Sequence, residues 1–166
     1  MGGLAGCGAF DSSPPPACPR AAIVDEAKAA PYYRAGKGRD ITDIAFEVGI
    51  LSLSGICEYD ESDGRTRLGS VLTIGIAAKR GPASEGESVE VPYFVAVVDP
   101  TGHILAKEVF RPRLVFEESG IKAQLIEEVE QIIPVGPLFA GPDYQILVGL
   151  QLDRDQLTDN LKRKRR

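Results

Sequence analysis

The sequence predicts an all-β domain: an antiparallel sandwich of the immunoglobulin or fibronectin kind, with about seven strands and a short helix near each end. Three observations carry this expectation. Apolar residues alternate with others over several stretches, most clearly at Val89, Val91, Tyr93, Val95 and Val97, the two-residue period of a strand with one buried face. Turn-forming groups such as Asp63-Gly64 and Asp99-Pro100-Thr101-Gly102 punctuate those stretches, as hairpins require. Ile, Leu and Val greatly outnumber the aromatic residues, which make up 7% of the chain with no Trp among them, a composition that suits pleated sheets.

The elements follow in order. Gly8 to Pro16 is small, polar and proline-rich and reads as a tether. Asp25 to Ala30 is a short helical candidate that Pro31 ends, and Gly36 and Gly38 open a turn. The folded domain is expected to begin at Asp40. Ile44, Phe46, Val48 and Ile50 share one strand face, and then the phase flips to Leu51, Leu53 and Cys57. The flip marks a bulge or a bend between two strands. Asp63-Gly64 turns the chain into an apolar strand over Leu68 to Ala78, and a polar loop from Arg80 to Glu87 follows. Pro92 places the next strand at an edge or at a strand start. Ile104 to Phe110 returns from the Asp99 turn. Gln124 to Val135 fits both a helical face and a strand, and strand is the expectation. Tyr144 to Leu152 is the last strand, and Asp153 with Gln156 forms a capping pair for a helix through Leu161. This divides the 166 residues into an arm (1–39), a sandwich domain (40–153) and a helix with a basic tail (154–166).

A net charge of −5 argues against a nucleic-acid surface, which would be basic. The run Lys162, Arg163, Lys164, Arg165, Arg166 reads as a solvated chain end. No apolar stretch reaches the roughly 18 residues of a membrane helix.

Three cysteines are present, and Cys7 ends the tetrad Leu4-Ala5-Gly6-Cys7. An apolar residue followed by two small ones before a cysteine is the form read by the peptidase that processes bacterial lipoproteins. A signal peptide also needs a basic start and an apolar stretch of roughly 7 to 15 residues, whereas only Met1, Gly2 and Gly3 precede Leu4. The expectation is therefore an export segment whose start lies upstream, the alternative being a chance match in a cytosolic protein. With a lipid on Cys7, Cys18 and Cys57 remain as an even pair and are expected to form a disulfide. The other reading leaves both as buried thiols.

Chemistry is sparse. The single histidine, His103, sits beside Gly102 in a turn and lacks the companions of a catalytic or metal constellation. Glu127, Glu128 and Glu130, like Glu117 and Glu118, read as solvated acidic positions, because adjacent residues of a strand do not face a common site. Gly36 and Gly38 lack the strand before and helix after that a phosphate cradle needs. No cysteine or histidine spacing supports a metal, and no cofactor is expected. Tyr32, Tyr33, Arg34, Lys37 and Arg39 form the one candidate interaction surface: aromatic faces for stacking beside cations for an anion. Packing of the arm onto the sandwich explains the same residues.

The lipobox, Cys18-Pro19, Gly38-Arg39-Asp40 leading into a strand, Cys57, and the ending Asp143-Tyr144-Gln145-Ile146-Leu147-Val148-Gly149-Leu150-Gln151-Leu152 together resemble a group of alphaproteobacterial envelope lipoproteins. The resemblance spans most of the chain and implies a protein of the cell envelope with no catalytic residue to carry over. The expectation is a non-enzymatic binding or scaffolding domain, held to the membrane by a lipid on Cys7 and facing the periplasm. Gly8 after the cysteine favours the outer membrane, and the partner is an envelope protein or polymer. The competing expectations are an envelope-polymer hydrolase, whose carboxylates converge only in the fold, and a cytosolic interaction domain.

Overall fold

A computed structural model describes residues 17–36, 38–62, 64–136 and 140–164. Cys7, the tether and Lys37 lie outside these residues.

The strands are β1 (Arg20–Ile23), β2 (Ala29–Tyr33), β3 (Ile44–Ser62), β4 (Arg65–Arg80), β5 (Ser88–Glu90), β6 (Tyr93–Val98), β7 (Ile104–Phe110), β8 (Arg113–Val115), β9 (Lys122–Val135) and β10 (Gln145–Leu150), followed by one helix, α1 (Arg154–Lys164). Two four-stranded sheets, ordered β1-β10-β6-β7 and β2-β3-β4-β9, share one core, and β5 pairs with β8 alongside. All pairings are antiparallel except that of β1 with β10.

Period-two patterning decides what is buried. Leu68, Leu72, Ile74 and Ile76 of β4 face inward with Val129 and Ile133 of β9, against Tyr93, Val95, Ile146 and Val148 of the other sheet. The phase flip at Ile50 is a bulge inside one strand: β3 pairs Ile50 with Ile76 but Ser52 with Gly75, leaving Leu51 as the extra residue. Beyond it the odd residues Leu53, Cys57 and Tyr59 pack on the core. β3 and β4 are joined through a Ser62–Arg65 pair, with Gly64 at φ +71°, a conformation that glycine adopts without strain; Asp63 lies outside the described residues. Gln124 to Val135 is strand throughout.

Several boundaries differ from those expected. Ten strands are present among the described residues rather than about seven. The alternating run from Val89 to Val97 is divided at Pro92, so Val89 pairs in the small sheet while Tyr93 starts β6. Residues 20–33, assigned from sequence to the arm, enter both sheets. In place of a helix over Asp25 to Ala30 there is a 3-10 turn at Asp25–Ala27, and the chain then extends into β2. The reason is local, because a residue before proline is pushed out of the helical region, and β2 lies at a sheet edge where the missing N–H of Pro31 is tolerated.

Candidate functional site

The tyrosine and arginine residues of the candidate surface are divided between two environments. Tyr32 pairs with Phe46 across β2 and β3 and packs against the core. Tyr33 lies under Arg39, whose guanidinium carbon stands 5.1 Å from the ring centroid. The two rings therefore do not form one stacking platform. Arg34 turns to Asp43 at 3.4 Å.

Arg39 organises the site. Its guanidinium reaches Asp155 at 3.3 Å, Asp159 at 3.6 Å and Asp153 at 4.0 Å, all from α1 or the residue just before it. The helix is fastened to β2 by side-chain amides as well. Gln156 donates to the Pro31 carbonyl at 3.2 Å, and Asn160 donates to the carbonyls of Glu26 and Ala29, each at 2.8 Å. Asp153 and Gln156 exchange the expected reciprocal hydrogen bonds, of 2.7 and 3.0 Å, at the helix start. A cleft of about 380 Å³ opens here, lined by Tyr32, Tyr33, Arg39, Asp153, Asp155 and Gln156. A larger one of about 660 Å³ lies along β2 among Ala29, Pro31, Tyr33, Ile41, Glu47 and Asp159. Sequence reading placed an anion beside the tyrosines. The structure instead surrounds one arginine with three carboxylates, so the local balance suits a cationic or neutral polar group better. Those aspartates escaped detection because they lie more than a hundred residues from Arg39 in the chain.

The Tyr32 hydroxyl is pushed up to about 12, first by burial and then by Asp153 and Glu90. Folded Tyr32 thus holds its proton more tightly than an unfolded tyrosine with the ordinary value of 10.0. The associated stability is whole below about pH 10 and is lost as pH rises toward 12. The thermal midpoint should fall across that window, and Tyr32→Phe should flatten part of the fall; identical curves for the two proteins would assign the loss to other groups.

Cys18 and Cys57 are bonded, with Cα atoms 5.7 Å apart. Beside them the Tyr59 hydroxyl donates to the Ala17 carbonyl at 2.7 Å, so the chain preceding β1 is stitched to β3 twice. His103 belongs to its turn. Asp99 accepts from the Thr101 hydroxyl at 2.7 Å and the backbone N–H groups of Thr101 and His103 at 2.8 and 2.9 Å. The Thr101 hydroxyl first, and then the His103 N–H, hold the Asp99 carboxyl below its usual range. The glutamates of β9 separate by parity: Glu127 accepts a hydrogen bond from the Tyr93 hydroxyl at 2.7 Å, whereas Glu128 and Glu130 are exposed on the opposite face.

Among the described residues no cluster of His, Cys, Asp and Glu is arranged to hold a metal ion, and no helix is long and apolar enough to cross a membrane. No family model, curated protein or solved structure matches the chain.

Proposed function

We propose that this chain is a lipid-anchored protein of the bacterial envelope whose β-domain binds or scaffolds a partner rather than catalysing a reaction. The observation that carries the proposal is the Cys18–Cys57 bridge. Disulfides persist in oxidising compartments and are rare in the cytosol, and with this pair closed Cys7 is the only cysteine left over. A cysteine at the end of Leu4-Ala5-Gly6-Cys7 is placed for acylation, and attachment through more than one acyl chain makes anchoring stable. Gly8 after it favours the outer membrane.

Two further features support a binding role. The carboxylates that gather in the fold, Asp153, Asp155 and Asp159, gather on Arg39, which engages them instead of leaving a free acid and base. Two sheets packed on one core support a sandwich of the immunoglobulin or fibronectin kind, with the clefts beside β2 as the place of contact. Palmitate labelling of cells expressing the gene with its native upstream sequence tests the anchor. The wild-type protein should carry label in the membrane fraction, and Cys7→Ser should be unlabelled. Equal labelling of both proteins, or none in the wild type, would sink the proposal.

A further inference from the structure

β9 is the outermost strand of the sheet β2-β3-β4-β9, so among the described residues no strand of the sheet covers one of its edges. The ladder shows which residues face that edge. The Arg80 N–H donates to the Ile121 carbonyl at 2.9 Å, and the register continues from Lys79–Lys122 to Thr66–Val135. Antiparallel alternation then directs the backbone groups of odd residues toward β4 and those of even residues outward. The outward set is Lys122, Gln124, Ile126, Glu128, Glu130 and Ile132. Their side chains are all exposed on the outer face, Ile126 by 73% and Ile132 by 68%. Pro134 is also even, so its missing N–H falls on the open edge, at the end of the strand. A long edge strand with exposed isoleucines is a template for another strand.

We propose that a second copy of this chain occupies this edge, its β9 running antiparallel about a two-fold axis at Ile126. Charge complementarity favours this occupant, and charge together with the length of strand paired favours this register. With Ile126 opposite itself, Lys122 faces Glu130 of the second copy and Gln124 faces its Glu128, each pair occurring twice by symmetry. These are the opposite-charge and hydrogen-bonding neighbours that stabilise adjacent strands. An axis at Glu127 or Glu128 sets that glutamate against its own copy, and one at Leu125 keeps a Lys122–Glu128 pair but puts Ile126 against Gln124 and moves Glu130 beyond the paired strand. Glu127 does not obstruct the edge, because its carboxylate points to the core side and is taken by the Tyr93 hydroxyl at 2.7 Å. The β2-β3-β4-β9 sheets of the two copies then become one continuous sheet. This assembly does not rest on the lipid anchor.

Sedimentation velocity of the folded chain across micromolar concentrations tests it. The wild type should pass from monomer to dimer. Lys122→Glu or Glu130→Lys should each weaken the dimer by about tenfold or more, since either puts two like-charged pairs in the contact. Combining them should restore affinity to within about threefold of wild type. Ile126→Cys in a Cys7→Ser background should cross-link to itself on oxidation, because directly opposed residues in a hydrogen-bonded pair have Cα atoms about 5.5 Å apart, whereas Glu128→Cys should not. A wild type that stays monomeric, a charge swap that fails to rescue, or a missing Ile126→Cys cross-link would each overturn the proposal.

Discussion

Cys57→Ala should lower the unfolding free energy by about 4 kcal/mol, the loop-closure entropy that a bridge over a few tens of residues removes from the unfolded chain. The bridge joins residues 39 apart, and the closed loop contains β1, β2 and most of β3. Native contacts at the site change little. Cys57 is only half-buried, and its partner across the ladder is Ser70, so removing the sulfur leaves no sealed cavity. The arm keeps its second stitch from Tyr59 to Ala17 and its β1–β10 pairing. The loss therefore comes mostly from a freer unfolded state. Against a typical domain stability of roughly 5–15 kcal/mol it is large. Urea unfolding should show the same drop for Cys18→Ala, for Cys57→Ala, for the double variant and for the wild type under reductant. A loss below about 1 kcal/mol would mean that the strands alone hold the arm.

What could be read in the sequence depended on how local its cause was. The bulge at Leu51 was visible because a change of phase in an alternating pattern needs no partner to be recognised. The turn at Gly64 was visible because few residues accept a positive φ as glycine does. The Cys18–Cys57 pair followed from setting one cysteine aside. β1 and β2 were hidden, because four and five residues carry little periodicity and their partners, β10 and β3, are chosen by tertiary packing. β9 was ambiguous for a physical reason: Leu125, Val129, Ile132 and Ile133 fit a helical face, Leu125, Val129 and Ile133 also share one strand face, and only pairing with β4 decides between them. The Arg39 site was half legible. Its cation and one ring are close in sequence, whereas its three carboxylates arrive with α1.

Tyr93→Ala should cost about 4 kcal/mol and Tyr93→Phe about 1 kcal/mol, and the gap between them says how the two sheets are held together. Tyr93 is fully buried at the start of β6, its ring stacked on Phe110 with centroids 5.2 Å apart. Its hydroxyl donates across the core to Glu127 of β9 at 2.7 Å. Burial first, and then this hydrogen bond, raise the hydroxyl well above the ordinary tyrosine value, so at neutral pH the group is a donor. Removing the oxygen alone ends one charge-assisted hydrogen bond. Glu127 is only half-buried, so its carboxylate recovers water and avoids the full penalty of a stranded charge. Removing the ring takes away a large apolar surface and its stacking on Phe110 and leaves a cavity in the shared core. Packing should accordingly outweigh the polar bridge by about threefold or more. Urea midpoints for the two variants, compared at unchanged slope, measure this ratio. Equal losses would reverse the ranking and make the Tyr93–Glu127 bond the main tie between the sheets.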